Sequence, residues 1–229
     1  MNRAAKTWKE YWEKQTLPLH KTDDDDYYVP YCNELRLLYD GLRPERILEI
    51  GCGNGALYQH LGFDRAAEYK GVDYSESMLA QFHRRYPSAT LINASGHDYE
   101  DDGKYDLIFS NGVLQYFDPA MLAEHVERAA RMLTPTGRFV CASVPWRRLR
   151  AKYATGRFFN LQSGILLRWL RYVRFHLRDT MGRWFEWDEF EDLGRKNGLI
   201  VKFYGSLNYP YRFHAVYHRP DAIQATIAA

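Results

Sequence analysis

The nine residues ILEIGCGNG, at positions 47–55, join an apolar run to three glycines at alternate positions. The run has the length and composition of a buried β-strand. Gly51, Gly53 and Gly55 allow the backbone to turn sharply and to approach a ligand closely, because glycine has no Cβ. The sequence therefore predicts a strand that leads into a ligand-binding turn, followed by a short helix over residues 56–61.

Beyond this turn, apolar runs alternate with segments of helical spacing. The further strands predicted are 68–74, 89–94, 105–111, 138–144, 199–207 and 211–219, and the helices are 75–86, 118–133 and 188–196. Nearly continuous apolar strands are typical of a parallel sheet covered on both faces. The last two strands are joined by only three residues, so they must be antiparallel. The fold class is therefore α/β, a doubly wound, seven-stranded, mostly parallel sheet with an antiparallel last strand.

We expect three parts in the chain. Residues 1–44 form an N-terminal helical cap segment, with helical spacing at 2–16 and a helix over about 28–39. Residues 45–219 form the main domain, with an insertion at about 145–185 that serves as a lid. Residues 220–229 form a frayed tail.

Composition excludes several classes of protein. The chain has 229 residues, of which 46% are hydrophobic and 26% charged, as in an ordinary globular domain. It has no apolar run of the length that a membrane span needs, and no apolar stretch typical of a secretory signal near residue 1. Its three cysteines include no CxxC pair, which argues against a disulfide scaffold or a metal site. We therefore expect a cytoplasmic protein without a bound metal.

Two acidic residues flank the glycine turn. Glu49 lies two residues before Gly51, where a carboxylate can hold an ammonium group, and Asp73 ends the next strand, where it can accept hydrogen bonds from a ribose diol. Spacing alone leaves two cofactors open, since Gly51, Gly53 and Ala56 also fit the dinucleotide pattern G-x-G-x-x-A. The third glycine and Glu49 favour S-adenosylmethionine over a nicotinamide dinucleotide.

Three motifs occur in order: E-x-G-C-G-x-G at 49–55, G-V-D-x-S at 71–75, and YDLIFSNGVLQYF at 105–117. Together they resemble class I S-adenosylmethionine-dependent methyltransferases of the small-molecule type. The resemblance covers residues 45–144 and continues weakly through 185–199. It implies a Rossmann-like methyltransferase fold and S-adenosyl-L-methionine as the cofactor.

The resemblance also implies roles for individual residues. The glycines line the methionine and ribose, Glu49 lies near the methionine ammonium, and Asp73 binds the ribose hydroxyls. Where relatives often have an acid for the adenine amino group, this chain has Ala94 or Ser95. The implied cofactor-binding residues are Glu49, Gly51, Cys52, Gly53, Gly55, Asp73, Tyr74, Met78, Ala94, Ser95, Asn111 and Gly112.

The acceptor side is less specified. Gln115 and Tyr116 are expected near the transferred methyl group, as substrate-binding residues. A general base is useful if the acceptor is a weakly acidic hydroxyl. The candidate catalytic residues are Tyr116, His20 and His214, although no spacing singles one of them out.

Residues 145–183 contain ten Lys or Arg and one acid, whereas the whole chain has a net charge of +2. The helix predicted over 161–178 is amphipathic, with arginines along one side. Four interpretations stay open: a solvated basic face on a lid whose apolar side packs on the domain, an anionic acceptor held by Arg147, Arg148 or Arg157, contact with an anionic membrane, and RNA. Nucleic acid is the weakest of the four, because the total charge is near neutral.

The function expected from these features is methyl transfer from S-adenosylmethionine to a small-molecule or glycan acceptor, at oxygen. An RNA methyltransferase and a non-catalytic protein that binds S-adenosylmethionine as a scaffold are the alternatives.

Overall fold

The computed structural model describes residues 28–159, 164–177 and 181–220. Within them lies a sheet whose strands are β1 (Arg46–Ile50), β2 (Glu68–Asp73), β3 (Thr90–Asn93), β4 (Tyr105–Asn111), β5 (Leu133–Pro145), β6 (Ile200–Gly205) and β7 (Arg212–His218). The strand order is β3-β2-β1-β4-β5-β7-β6. Strands β1 to β5 pair in parallel, while β7 is antiparallel to both β5 and β6. The predicted fold class is confirmed.

Helices cover both faces of the sheet. Their bounds are α1 (Val29–Leu37), α2 (Glu76–Arg85), α3 (Pro119–Met132), α4 (Arg150–Ala154), α5 (Ile165–Leu177) and α6 (Trp187–Lys196). One apolar cluster contains Leu122 of α3 and Phe190 of α6, and the other contains Leu35 of α1 and Phe82 of α2. Since β1 lies between the two clusters, its side chains are buried on both faces, which explains its continuous apolar sequence.

Side chains fix the starts of the helices that follow β2 and β4. Ser75 caps α2 by accepting a hydrogen bond from the Met78 N–H, and Asp118 caps α3 by accepting from the N–H groups of Ala120 and Met121. Pro119 then occupies the first turn of α3, where its missing N–H costs nothing.

The helix predicted over residues 56–61 is wrong. The segment consists of successive turns, with the Tyr58 N–H donating to the Gly55 carbonyl at 3.2 Å and the Leu61 N–H to the Leu57 carbonyl at 2.8 Å. Its two ends, Gly55 and Gly62, have positive φ values of 74° and 76°. So short a segment between two left-handed residues cannot build a stable α-helix. The glycine turn therefore has no helix N-terminus behind it.

The parts expected outside the main domain are described only in part. Of the N-terminal cap segment, residues 1–27 lie outside the described residues, as do 160–163 and 178–180 of the lid and 221–229 of the tail. The division of the chain at residues 44 and 219 stays a prediction. No helix in the described ranges has both the length and the apolar character to cross a bilayer.

Candidate cofactor and acceptor site

The glycine turn leaves open space at the carboxyl end of β1. Gly51 has a φ of 75°, and a Cβ there would lie 2.1 Å from Cγ2 of Val113, so only glycine fits. Gly53 also has a positive φ, of 55°, but among the described residues no heavy atom beyond Gly53 and its two chain neighbours lies within 4 Å of its Cβ position. The turn therefore packs closely at its start and is open to a ligand two residues later.

Asp73 ties this turn to the start of α2. Its Oδ2 accepts the Gly53 N–H and its Oδ1 accepts the Ser75 N–H, both at 2.9 Å. Burial raises the pKa of Asp73, and these two hydrogen bonds oppose the shift. Each carboxylate oxygen retains a further lone pair. Asp73 thus shapes the turn and can still accept hydrogen bonds from a ligand.

Glu49 lies beside Asp73 and is only 4% exposed. Its Oε2 accepts a hydrogen bond from the Tyr69 hydroxyl at 2.6 Å. The pKa of Glu49 is raised to about 7, because burial and, to a smaller extent, the charge of Asp73 outweigh the hydrogen bond from Tyr69, which lowers it. The carboxyl is therefore poised to ionise when a cation is placed beside it.

Two neighbouring carboxylates with no cation are unusual inside a protein. Within the described ranges, neither Glu49 nor Asp73 forms an ion pair with a Lys or Arg side chain. A ligand that brings an ammonium group and a diol would satisfy both carboxylates. Together with the open space at Gly53, these residues fit S-adenosylmethionine.

The residues expected around adenine follow the ends of β2 and β3. The Ala94 N–H donates to the Asp73 carbonyl at 3.1 Å, which places Ala94 next to the predicted ribose site. Ser95 Oγ lies 2.7 Å from Nδ1 of His97. Tyr74 follows Asp73 directly, and Met78 is buried in the first turn of α2. The structure therefore brings all four to the same edge of the sheet as Asp73.

Cys52 and Gly55 lie on the inner side of the turn. Cys52 Sγ is 2.9 Å from the Cβ position of Gly71, and burial raises the pKa of this thiol well above its usual range. A Cβ on Gly55 would lie 2.7 Å from the Phe82 ring. Cys52 is therefore a core side chain, and its contact with the cofactor stays a prediction.

Tyr31 of α1 contacts the end of β4, although the sequence did not indicate it as a site residue. Asn111 Oδ1 accepts a hydrogen bond from the Tyr31 hydroxyl of α1 at 2.5 Å. The next residue, Gly112, donates its N–H to the Ala142 carbonyl at 3.1 Å. Tyr31 is 80 residues from Asn111 in the chain. The sequence gives one indication of it, namely that it is an aromatic residue within the helix predicted over 28–39.

Gln115 and Tyr116 lie in a single turn of 3₁₀-helix after β4. Gln115 Nε2 donates to the Tyr116 hydroxyl at 2.8 Å. Gln115 Oε1 is buried and has no hydrogen-bond partner in the part of the chain that the structure describes. An unpaired buried acceptor is costly, so this position suits a donor group on a ligand.

His214 is placed differently from a general base. It is buried in β7, its Nδ1 accepts the Ser143 N–H at 3.1 Å, and its Nε2 lies 2.9 Å from Oε1 of Glu34. Burial lowers the pKa of His214, although the Glu34 hydrogen bond opposes this. Both nitrogens are engaged, so no lone pair is left to take a proton from an acceptor. His20 lies outside the described residues.

Arg147 and Arg148, the predicted anion-binding pair, have different surroundings. Arg147 Nη2 donates to the Trp184 carbonyl at 3.1 Å and pairs with Glu189 at 2.9 Å. Arg148 is exposed. The guanidinium of Arg147 is therefore already neutralised by a carboxylate of this chain.

The amphipathic lid helix α5 shows its apolar side to solvent. Leu166, Trp169 and Leu170 are 71%, 58% and 49% exposed. The opposite side is inward, since the Phe175 ring centroid lies 5.5 Å from that of Tyr153. The interpretation of a lid that packs its apolar side on the domain is therefore wrong. Phe175, which lies on the side of α5 that carries the arginines, packs against Tyr153. The apolar residues on the other side of α5 are therefore exposed to solvent.

The described residues contain no group of three or more His, Cys, Asp or Glu side chains arranged to hold a metal ion.

Comparison with known proteins places this geometry in context. Residues 47–137 match the family described as methyltransferase domain. A trans-aconitate 2-methyltransferase of Acidovorax sp. (strain JS42) is 36% identical over 96 residues, which are 41% of this chain and 36% of that protein. The mouse (Mus musculus) EEF1A lysine methyltransferase 4 is 24% identical over 168 residues, 65% of this chain and 66% of that one. The chain thus spans about a third of the length of the first relative.

Solved structures share the fold over nearly the whole chain. The magnesium protoporphyrin IX methyltransferase of Synechocystis PCC 6803, solved with bound S-adenosylmethionine, superposes with a TM-score of 0.63. The superposition covers 96% of this chain and 98% of that one, at 12% identity. This likeness shows a common architecture.

Proposed function

We propose that this chain, whose residues 47–137 match a methyltransferase domain, is a class I methyltransferase that transfers a methyl group from S-adenosylmethionine to an oxygen of a small-molecule or glycan acceptor. One observation carries the proposal. Glu49 and Asp73 stand beside an open glycine turn with no Lys or Arg partner among the described residues, and the cofactor's ammonium and ribose would compensate them.

When bound, S-adenosylmethionine supplies a methyl group on a positively charged sulfur, already activated for displacement. The protein's contribution is then binding and alignment. Glu49 holds the ammonium group as a carboxylate, and Asp73 accepts from the ribose hydroxyls while its bond to Gly53 keeps the turn in place. Asn111, at the end of β4, faces the methionine end of the site.

The acceptor side is built from α1 and the turn after β4. Burial raises the pKa of the Tyr31 phenol, so Tyr31 stays protonated and donates to Asn111. Gln115 presents an unpaired oxygen to a donor group of the acceptor, and Tyr116 lies next to it. Among the described residues Tyr116 is the catalytic candidate that this arrangement favours, and His20 stays a prediction.

The acceptor class is inferred from the chain's own charges. The printed names of relatives include both a trans-aconitate and a lysine methyltransferase, so they do not select one class. The basic segment at 145–183 favours an acceptor with an anionic group. We prefer this class over RNA, because the rest of the chain carries an excess of acidic residues.

A peripheral membrane contact through residues 161–178 is part of the proposal. Leu166, Trp169 and Leu170 of α5 form an exposed apolar patch, and the exposed Arg148 and Arg174 belong to the same lid segment. An apolar helix face with Trp and Leu, accompanied by arginines, suits the surface of an anionic bilayer.

A turnover assay tests the proposed function. The full chain is incubated with S-adenosylmethionine and a panel of small acids, sugars and RNA, and formation of S-adenosylhomocysteine is measured. We expect turnover with a hydroxyl- or carboxyl-bearing small molecule. Turnover with RNA alone would replace the acceptor class, while tight cofactor binding without turnover on any acceptor would favour a scaffold.

A further inference from the structure

Arg212, the first residue of β7, lies at the carboxyl edge of the sheet opposite Pro145 of β5. Its Nη1 donates to the Ser143 carbonyl, its Nη2 lies 3.9 Å from Sδ of Met181, and its guanidinium is 5.5 Å from the Tyr211 ring centroid. The residue is half-buried. These contacts hold the guanidinium at a fixed place beside the lid.

Arg212 has no carboxylate partner in the part of the chain that the structure describes. Nearby Arg147 and Arg183 both pair with Glu189. Arg212, by contrast, forms no ion pair with a carboxylate within the described parts of the chain. A half-buried guanidinium without a counter-charge loses hydration and gains little in return. An anionic ligand would supply the missing partner through paired hydrogen bonds.

The position of Arg212 is continuous with the predicted active site. Tyr31 lies between them, since its hydroxyl contacts Asn111 and it is also close to Ser143 and Arg212. An anion held by Arg212 would therefore sit on the side of the site where the acceptor is expected.

The lid gives a second connection. The Arg183 N–H donates to the Gln115 carbonyl at 2.8 Å, and a Cβ on Gly182 would lie 2.3 Å from the same oxygen. Residues 181–183 thus run from Arg212 to Gln115, whose buried Oε1 has no partner among the described residues. A cationic donor and an orphaned acceptor meet at one short segment.

The backbone conformation of Ser143 directs its carbonyl towards Arg212. Ser143 has a φ of 58°, which is rare for a residue other than glycine, and it lies at an irregularity in the pairing of β5 with β7. His214, which is held by Glu34, accepts a hydrogen bond from the Ser143 N–H, while Arg212 donates one to the Ser143 carbonyl. A buried pair therefore sustains a strained residue whose carbonyl orients Arg212, as expected at a functional site.

We propose that Arg212 binds a carboxylate or phosphate group of the acceptor and thereby selects anionic acceptors. This inference rests on the proposed function, which defines the neighbouring cofactor site. The Glu34–His214 pair is a positioning device for this subsite and takes no part in proton transfer.

Binding of simple anions tests the proposal without knowledge of the acceptor. Citrate and inorganic phosphate are titrated calorimetrically into the full chain saturated with S-adenosylhomocysteine. We expect one of the two to bind, and Arg212→Gln to weaken that binding by about tenfold or more. Citrate and phosphate distinguish the carboxylate from the phosphate form of the proposal. If the intact chain binds neither anion, or if Arg212→Gln binds as tightly, the proposal is overturned.

Two variants serve as controls. Arg195→Gln removes an exposed arginine of α6 and should leave anion binding unchanged; an equal loss there would overturn the assignment to Arg212. Arg212→Lys keeps the charge but not the planar fork, so it should retain part of the affinity even if Arg212→Gln fails to fold. Repeating the titration without S-adenosylhomocysteine separates the two hypotheses, since anion binding that depends on Arg212 would survive a failure of cofactor binding.

Discussion

The proposed role of Glu49 predicts that cofactor binding depends on pH. Its pKa of about 7 is that of a buried carboxyl without a cation beside it, and a bound ammonium would favour the ionised form. Binding below this pKa must therefore release a proton, whereas above it the carboxylate is already formed.

We expect the affinity for S-adenosylhomocysteine to fall about tenfold from about pH 8 to about pH 6, because Glu49 is then mostly protonated. Titration calorimetry across this range is the measurement. Glu49→Gln, which cannot ionise, should bind more weakly at about pH 8 and show a flat profile. A flat profile for the unchanged chain would contradict this role of Glu49.

Asp73 offers a second prediction at this scale. Asp73→Asn keeps the shape of the side chain but loses the charge that strengthens hydrogen bonds to ribose. We expect roughly 10- to 100-fold weaker binding of S-adenosylhomocysteine by calorimetry. Asp64→Asn, at an exposed position, is the matched control. Equal affinities for Asp73→Asn and the unchanged chain would exclude the ribose assignment.

The sequence predicted those candidate site residues that lie close to the glycine turn along the chain. Glu49, Gly51 and Asp73 lie within the stretch from β1 to the end of β2, two strands that pair in parallel, so their spacing along the chain brings them to one edge of the sheet. Tyr31 and Arg212 could not be found this way. They reach the site by packing of α1 and pairing of β7, and neither has a motif around it.

Among the elements, α1 and β7 are joined by a buried network around Glu34. Its carboxylate accepts hydrogen bonds from the N–H groups of Leu207 and Asn208 and lies 2.9 Å from Nε2 of His214. Burial alone would raise the pKa of Glu34, but hydrogen bonds from Asn208 and His214 lower it to about 2. The carboxylate is thus the form that the fold stabilises.

We predict that Glu34→Gln lowers the free energy of unfolding by about 2–4 kcal/mol at neutral pH, because an amide cannot accept all these hydrogen bonds. Urea denaturation measures the loss. The stabilisation is complete above the unfolded-state pKa of Glu, about 4.5, and is lost as the pH falls towards about 2, so the two proteins should converge on acidification. Glu76→Gln, at an exposed position, should change little. Equal stability of Glu34→Gln at neutral pH would refute the network's role.

The lid helix shows what sequence periodicity leaves open. The amphipathic pattern predicted a helix over 161–178, and the structure has α5 at Ile165–Leu177. Which side faces the domain depends on partners elsewhere, here Tyr153 and Trp184 around Phe175. The prediction of a helix over 56–61 was wrong for a similar reason, since the glycines at both ends of the segment have positive φ values that override its helical spacing.

The exposed side of α5 makes a prediction of its own. A double variant, Leu166→Glu with Trp169→Glu, should reduce binding to phosphatidylserine-containing vesicles by about tenfold or more, because it removes apolar area and adds negative charge. Vesicle flotation measures this. Leu207→Glu changes a leucine that is 78% exposed elsewhere and should have no effect. Equal flotation of all three proteins, or no difference between neutral and anionic vesicles, would remove the membrane proposal.

In the whole molecule, the sheet order brings the two halves of the site together. β1 is central, with β2 on one side and β4 on the other, so residues that follow these three strands meet at one carboxyl edge. The acidic side at Glu49 and Asp73 and the basic side at Arg212 lie at that edge, separated by Asn111 and Tyr31. A positively charged cofactor and an anionic acceptor would thus each meet the opposite charge.

A crystal structure grown with S-adenosylhomocysteine and NAD⁺ together would decide whether the glycine turn binds the nucleoside that the two carboxylates favour. We predict S-adenosylhomocysteine beside Gly53, with its ribose hydroxyls on Asp73 and its ammonium group at Glu49. A turn that holds NAD⁺, or that holds neither compound at saturating concentrations, would contradict the account.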